Sequence, residues 1–296
     1  MYNGLINVYK EPGFTSFDAV AVLRGILKQK KIGHTGTLDP AAEGVLMVCL
    51  GNATKLCTFL EEKDKTYICK MRLGVTTDTE DTTGKIIEEK EISCGEDAIK
   101  EAINSFVGDY KQIPPMYSAL KKDGKKLYEL ARAGIVTKRE ARDVKIRSIE
   151  IAEIKIPYVT FTVDCSKGTY IRSLCRDIGE KLGCGACMEH LKRTRVSFFD
   201  EKDSLKLSQI EELAKAGRID EFILPTENMF SDRPAIFVNG ESARIINNGN
   251  PLLMSNIKPT EPEEGLYRVY NAEGIFCAVY EYDAKKEYFK PYKMFF

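Results

Sequence analysis

The sequence has few histidines, no glycine-rich nucleotide-binding signature and no long apolar run. Its 296 residues contain only two histidines, His34 and His190, which argues against catalysis by a histidine cluster. Neither G-x-G-x-x-G nor G-x-x-x-x-G-K-[ST] occurs, so the signatures of dinucleotide-binding and P-loop enzymes are missing. No stretch approaches the roughly 18 apolar residues of a membrane span, and Met1–Gly4 lacks the basic start of a signal peptide. We therefore expect a cytoplasmic protein without a membrane segment.

Nine cysteines are scattered along the chain, an odd number that does not fit the paired framework of small secreted folds. We expect most of them to be reduced and buried. Cys184 and Cys187 form a C-x-x-C pair, with His190 three residues further on. One such pair supplies only two of the four ligands that structural zinc takes, so we expect no metal.

The charges balance overall but are segregated along the chain. Lysine plus arginine and aspartate plus glutamate number 44 each, which gives a net charge of zero. Between Lys111 and Arg147, however, eleven basic residues face only four acids. Because a polyanion responds to the local potential, such a segment can bind nucleic acid on a neutral protein. The charge pattern is equally compatible with a set of solvated helix faces.

The order of apolar periodicities predicts a mixed fold. Helical spacing recurs over 16–31, 98–107, 125–133, 169–182 and 208–217, whereas strand patterns occupy 45–50, 66–74, 144–156 and 159–165. The segment 110–124 reads as a loop and 225–234 as a linker. Short β-like runs follow at 235–238, 267–270 and 275–280. Without regular alternation of strands and helices, this predicts an α+β domain followed by a small β-barrel.

Asp39 lies in a turn-rich stretch, Gly-His-Thr-Gly-Thr-Leu-Asp-Pro at 33–40, which could be only an ordinary turn. Further ordered motifs accompany it: Lys-x-Pro-Gly-x-Thr-Ser at 10–16, Leu-Gly-x-x-Thr-Asp-x-x-Asp at 73–81, Pro-Pro-x-Tyr-Ser-Ala-x-Lys at 114–121, and Cys-Ser-Lys-Gly-Thr-Tyr-Ile-Arg at 165–172. Together they closely resemble the TruB family, the bacterial tRNA pseudouridine-55 synthases. The resemblance extends over nearly the whole chain.

The resemblance implies both an architecture and an activity. It implies a pseudouridine-synthase catalytic domain at 1–230, with a mixed, largely antiparallel central sheet flanked by helices and an RNA-gripping insertion at about 110–140. Residues 235–296 would form a PUA-like RNA-binding domain. The expected activity is isomerisation of the uridine at position 55 in the T-loop of tRNA. We expect tRNA, bound through its T-arm, as the partner, a monomer, and neither a guide RNA nor a cofactor.

The resemblance also assigns roles to particular residues. Asp39, Tyr67 and Arg172 would be the catalytic residues. Asp39 would attack C1′ or the base, or open an elimination route, and Arg172 would orient its carboxylate. Tyr67 would stack on the uracil, and His34 would fill the position that the flipped uridine vacates. The remaining residues expected to contact the substrate RNA are Asp81, Tyr170, Leu191, Tyr117 and Lys121.

Two other interpretations remain open at this point. A non-catalytic tRNA-binding or tRNA-folding chaperone could use the same scaffold, although a pure binder has no need of a buried carboxylate. The family also has a guide-RNA-dependent relative in archaea and eukaryotes, but the compact N-terminus and the lack of a basic tail argue against that reading.

Overall fold

The computed structural model describes residues 1–61, 63–258 and 260–296. The strands of the first part of the chain are β1 Gly4–Lys10, β2 Ile32–His34, β3 Glu43–Leu50, β4 Lys65–Leu73, β5 Val75–Thr77, β6 Ile86–Glu89, β7 Gly108–Gln112, β8 Lys121–Lys122, β9 Lys125–Lys126, β10 Arg142–Lys155, β11 Tyr158–Cys165, β12 Ala186–Val196, β13 Phe199–Asp200 and β14 Leu205–Lys206. Those that follow are β15 Ala235–Phe237, β16 Leu252–Leu253, β17 Gly265–Tyr270, β18 Phe276–Asp283 and β19 Tyr288–Met294.

The α-helices are α1 Ser16–Leu27, α2 Cys57–Glu61, α3 Glu96–Asn104, α4 Leu127–Arg132, α5 Ile171–Leu182, α6 Leu207–Lys215 and α7 Ala243–Asn247. Short 3₁₀ helices cover Gly51–Leu56, Glu201–Asp203, Ile219–Phe222, Thr226–Phe230, Gly240–Ser242 and Met254–Asn256. No helix of the described residues is long and apolar enough to cross a membrane.

A large mixed sheet organises the first part of the chain. Its strands run in the order β14-β1-β3-β12-β4-β11-β10-β7, with β2 beside β3 and β13 beside β12. Pairing is antiparallel except between β1 and β14 and between β3 and β12. Helices α3 and α5 pack against β4, β10 and β12, while α1 and α6 lie together and cover β1 and β2. The predicted α+β class and the largely antiparallel sheet are confirmed.

Local sequence explains how α1 begins and why it ends early. Thr15 accepts a hydrogen bond from the Asp18 amide at 3.0 Å, and Asp18 accepts one from the Thr15 amide at 2.9 Å, which closes a capping box. The prediction that the helix runs to residue 31 is wrong, because Lys28 takes a left-handed φ of +50° that stops it. Val20 lies on the buried face of α1, whereas Val22 is 38% exposed.

Alternation along β4 is as predicted, and Tyr67, Cys69, Met71 and Leu73 all face the core. Several other elements escaped the sequence patterns. The segment expected to be a loop at 110–124 contains the end of β7 and most of the β8–β9 hairpin. Strands β1 and β12, both inside the sheet, were not predicted at all.

The end of the chain forms a curled five-stranded half-barrel in the order β15-β17-β18-β19-β16. Its core contains Tyr280 and Phe289, which are fully buried. The segment expected to be a linker packs tightly, because Met229 and Phe230 join a cluster that also contains Phe295. Apolar contacts therefore tie the half-barrel to the large sheet.

Candidate active site

Asp39 lies on the loop between β2 and β3. The buried side chains of Ser16 and Lys10 hold that loop by hydrogen bonds. The Ser16 hydroxyl accepts a hydrogen bond from the Leu38 amide at 2.9 Å. The Lys10 ammonium donates to the carbonyl of Pro40 at 3.2 Å. The backbone on both sides of Asp39 is thus fixed to β1 and α1, which restricts where the carboxylate can lie.

Lys10 is a site residue that the sequence patterns missed. It is fully buried and also donates to the carbonyls of Glu11 at 3.1 Å and Phe14 at 2.6 Å. Burial lowers its pKa to about 8, although the nearby Asp39 carboxylate opposes that shift. The resemblance includes Lys10 in its first motif, but nothing in the sequence assigns it a contact with the Asp39 loop.

Arg172 grips Asp39 in a two-pronged contact. Nε of Arg172 lies 3.0 Å from Oδ2 of Asp39, and Nη2 lies 3.1 Å from Oδ1. The remaining hydrogen bonds of the guanidinium go to carbonyls, from Nη1 to Thr79 at 3.1 Å and from Nη2 to Tyr117 at 2.9 Å. Asp81 is a more distant partner, 3.8 Å from Nη1. The first turn of α5, the motif around Asp81 and the insertion therefore converge on one arginine.

The electrostatics of Asp39 reflect its half-open position. Its side chain is 34% exposed toward the cleft, whereas that of Arg172 is 7% exposed. Burial raises the pKa of Asp39 above its ordinary value, Arg172 and Lys10 lower it, and Asp81 raises it further. Arg172 and Lys10 thus oppose the effect of desolvation, which is the largest of these influences on the pKa of Asp39.

Asp39 and Arg172 face a cleft of about 860 Å³. The lining residues come from the Asp39 loop, β4, the motif around Asp81, the insertion, the start of α5 and β12. Seven of the residues predicted to form the site are among them: Asp39, Tyr67, Asp81, Tyr117, Tyr170, Arg172 and Leu191.

Tyr67 and Arg193 form one wall of the cleft. Tyr67 is 7% exposed, and burial raises its pKa to about 12, so its phenol is protonated at neutral pH. Arg193 is 1% exposed and donates to the carbonyls of Val45 at 2.7 Å and Gly36 at 3.1 Å. Arg193 was not predicted, because the charged run at 191–195 reads as solvent-exposed surface. Alternation in β12 would have placed Leu191 and Arg193 on the same face.

Tyr170 is held at the cleft by its backbone. Its amide donates to Oε1 of Gln112 at 2.8 Å, and Nε2 of Gln112 donates to its carbonyl at 3.0 Å. This exchange joins the end of β7 to the start of α5. It therefore fixes the base of the insertion next to Arg172.

His34 and Lys121 lie outside the cleft lining. His34 ends β2, where its Nδ1 is buried without a hydrogen-bond partner, and burial followed by the charge of Arg193 lowers its pKa. Lys121 is exposed in the β8–β9 hairpin. Their expected RNA contacts stay predictions.

The insertion leaves the sheet after Gln112 and returns at Arg142, two residues that pair with each other across β7 and β10. Its lysines are not equivalent. Lys122 donates to the Thr137 hydroxyl and to the Lys138 carbonyl, both at 2.7 Å, and so helps to hold the insertion together. Lys121 and Lys125 are exposed on the hairpin.

Cys184 and Cys187 are both buried. Burial raises the pKa of both thiols, to about 11 for Cys187, whereas metal ligation requires thiolates. Among the residues that the structure describes, no group of three or more histidine, cysteine or acidic side chains is arranged to hold a metal ion.

Comparison with known proteins assigns the chain to a family. Residues 24–171 match the profile of the TruB family pseudouridylate synthase N-terminal domain, and residues 172–231 match that of the tRNA pseudouridylate synthase B C-terminal domain. A tRNA pseudouridine synthase B of Lachnoclostridium phytofermentans is 50% identical and is aligned over 99% of both chains. Its counterpart in Clostridium tetani is 45% identical over 92% of this chain and 93% of its own.

Solved structures agree with this assignment. An archaeal box H/ACA Nop10–Cbf5 complex contains a chain that matches 99% of this one with a TM-score of 0.72, at 27% identity and 86% coverage of that chain. An H/ACA ribonucleoprotein bound to a substrate RNA with 2′-deoxyuridine gives a TM-score of 0.71 at 26% identity, covering 99% of this chain and 85% of that one. The expected pseudouridine-synthase fold is thereby confirmed. The chain belongs to the TruB family of pseudouridylate synthases.

Proposed function

We propose that this protein isomerises the uridine at position 55 in the T-loop of tRNA to pseudouridine, with Asp39 as the catalytic carboxylate. The observation that carries the proposal is the two-pronged contact between Arg172 and Asp39 on the wall of the 860 Å³ cleft. Relatives that are 42–50% identical and aligned over most of the chain carry the name tRNA pseudouridine synthase B, which supports tRNA as the substrate.

The reaction moves a base within one nucleotide. The bond from N1 to C1′ breaks and a bond from C5 to C1′ forms, while the proton on C5 is lost and N1 gains one. Nothing is oxidised and no atom of the backbone changes, so the chemistry asks for no cofactor. An ionised carboxylate can serve it by attacking C1′ or the base, or by removing a ribose proton.

The residues of the cleft support distinct roles. Arg172 orients Asp39 and favours its ionised form, because a guanidinium fork holds both carboxylate oxygens at once. Tyr67, which is protonated, presents an aromatic wall on which the uracil can stack. Tyr170 and Leu191 complete the pocket for a flipped base, and Asp81 shares Arg172 with Asp39.

The substrate uridine must leave its stack in the T-loop, at a cost of a few kcal/mol. We propose that His34 fills the space that the flipped uridine vacates. Tyr117 and Lys121 contact the RNA that lies under the insertion. We assign residues 1–230 to the catalytic domain and residues 235–296 to a PUA-like RNA-binding domain. The protein acts as a monomer on the T-arm, in the cytoplasm, where bacterial tRNA is made and used.

The two competing interpretations are less well supported. A tRNA-folding chaperone does not need a carboxylate gripped by a buried arginine. The H/ACA and Cbf5 complexes among the solved structures are 26–28% identical to this chain, whereas the relatives called tRNA pseudouridine synthase B reach 50%. We therefore expect activity without a guide RNA.

The direct test is to incubate the purified protein with an unmodified tRNA transcript in monovalent salt and EDTA, without nucleotide, and to map pseudouridine. We expect a single pseudouridine, at position 55. A transcript with cytidine at that position is the matched control and should stay unmodified. No product with or without EDTA, or product at another position, would overturn the proposal, whereas product that forms only in a parallel reaction without EDTA would reopen the metal question.

A further inference from the structure

Outside the contact between Arg172 and Asp39, a second ion network lies at the base of the insertion. Its centre is Glu80, which is 9% exposed and precedes Asp81 in the cleft wall. Glu80 has a left-handed φ of +64°, a conformation that residues with a Cβ rarely adopt.

Both carboxylate oxygens of Glu80 are occupied. Oε2 accepts a hydrogen bond from the Ser173 hydroxyl at 2.7 Å, and Oε1 accepts one from Arg176, which, like Ser173, lies on α5. Arg139 reaches the same Oε1 from the far end of the insertion, at 3.7 Å. One carboxylate therefore joins α5 to the insertion.

The two arginines also hold the near end of the insertion. Arg176 donates to the Ile113 carbonyl at 3.1 Å, and Arg139 donates to the Pro114 carbonyl at 2.9 Å. Ile113 and Pro114 are the first residues after β7. These contacts thereby join the two ends of the insertion to α5.

The two arginines at this contact depend on Glu80 to different degrees for charge compensation. Arg176 has further acidic partners in Asp177 at 2.7 Å and Glu180 at 3.8 Å, whereas Glu80 is the acid that the structure places beside Arg139. Burial lowers the pKa of Arg139, Glu80 raises it, and the neighbouring Arg176 lowers it again. Without Glu80, two guanidiniums would face each other in a half-buried place, and Arg139 would move out to solvent.

The fastened segment leads directly to the catalytic pair. Three residues after Pro114, the carbonyl of Tyr117 accepts a hydrogen bond from Arg172 at 2.9 Å. Tyr117 and Tyr128, both in the insertion, line the cleft. The position of the insertion therefore affects both the cleft wall that is proposed to contact RNA and the orientation of Arg172.

We infer that Glu80 is a positioning residue that, through Arg139 and Arg176, holds the base of the insertion against α5 and so completes the cleft around Asp39. The inference deepens the proposed function, because it assigns the closure of the pseudouridylation site to a residue that does not touch the substrate.

The first readout is amide hydrogen exchange of the protein alone. In Glu80→Gln, residues 113–139 should exchange at least about tenfold faster than in the parent, while β4 and β11 keep their protection. Arg139→Gln should show the same change. Glu201→Gln, which removes the 2.9 Å ion pair with Lys192 outside the cleft, is the matched control and should leave the insertion unchanged.

The second readout is the single-turnover rate at saturating tRNA. We expect Glu80→Gln to lower it about tenfold, and we expect Arg139→Gln to cause no further loss in the Glu80→Gln background. Additive effects, or parental exchange at 113–139 in Glu80→Gln, would overturn the inference. If Glu80→Gln does not fold, Arg139→Gln decides, and parental exchange in that variant would count equally against it. A parent without activity would refute the proposed function, while the exchange measurement would still decide the role of Glu80.

Discussion

Arg172 holds both carboxylate oxygens of Asp39, with its Nε and Nη2 3.0 and 3.1 Å from Oδ2 and Oδ1. The same Nη2 also donates to the Tyr117 carbonyl at 2.9 Å. The arginine thus connects the Asp39 carboxylate to the insertion that is expected to hold RNA. The orientation of Asp39 and the position of Tyr117 in the insertion are therefore linked through one side chain.

Replacing Arg172 by lysine should lower the single-turnover rate at least about 100-fold, although the charge is kept, because an ammonium cannot reproduce the planar two-pronged contact. Affinity for tRNA should stay within a few-fold of the parent. Arg218→Lys is the control, since Arg218 makes an exposed pair with Glu221. A rate near that of the parent in Arg172→Lys would mean that Asp39 does not need the guanidinium fork.

Lys10→Met should destabilise the protein, because it leaves the carbonyls of Glu11, Phe14 and Pro40 without their shared donor. The Pro40 carbonyl keeps the hydrogen bond from the Gly13 amide, so two acceptors lose their donor. Each such buried acceptor costs about 1–3 kcal/mol, and a loss of about 2–6 kcal/mol is therefore expected in the free energy of unfolding. Urea denaturation measures it. Lys206→Met, which removes a lysine that is 54% exposed, is the control and should change stability little.

Lys10 should also shape the pH dependence of stability. Its pKa is lowered to about 8 in the folded protein from an ordinary 10.5. Between these values the unfolded chain binds a proton that the folded protein has released, so this lysine makes the free energy of unfolding rise with pH. The stability gap between the parent and Lys10→Met should therefore widen from pH 8 toward pH 10. Equal pH slopes for the two proteins would contradict the lowered pKa.

Lys121→Ala combined with Lys125→Ala should weaken tRNA binding and flatten its salt dependence. Each lost phosphate contact should reduce the slope of log K against log[salt] by up to about 0.9. The rate at saturating tRNA should fall much less than the affinity. Lys90→Ala with Lys100→Ala, two lysines about half exposed beside acidic residues, is the control pair. An unchanged slope in the Lys121→Ala, Lys125→Ala variant would mean that these two lysines face solvent and do not contact RNA phosphates.

Strand β4 and the Asp39 loop could be predicted because their signals are local. Alternation in β4 shows which face Tyr67 occupies, and the family motif indicates the importance of Asp39. Strand β12 was missed because His190, Lys192 and Thr194 on its more exposed face interrupt the apolar pattern. A charged run of this kind is typical of an exposed surface segment.

Lys10 and Arg193 were missed for a related physical reason. Lysine and arginine are almost never fully buried unless they are paired, so a sequence offers no basis for placing them in a core. Here the carbonyls of loops distant in sequence supply the partners, such as Pro40 for Lys10 and Gly36 for Arg193. Only the fold brings these donors and acceptors together. The network of Glu80 joins segments up to 96 residues apart and is invisible to pattern analysis for the same reason.

Whether Asp39 is the catalytic residue can be tested by tritium release from tRNA labelled at C5 of uridine. Release is compared between the parent and Asp39→Asn, with tRNA affinity measured in parallel. Asparagine keeps the size of the side chain and removes its charge and nucleophilicity. We expect release to be abolished in Asp39→Asn while the affinity stays within a few-fold of the parent, because binding is expected to depend on many phosphate contacts elsewhere. Tritium release by Asp39→Asn at a rate comparable to the parent would contradict the assignment of Asp39 as the catalytic residue.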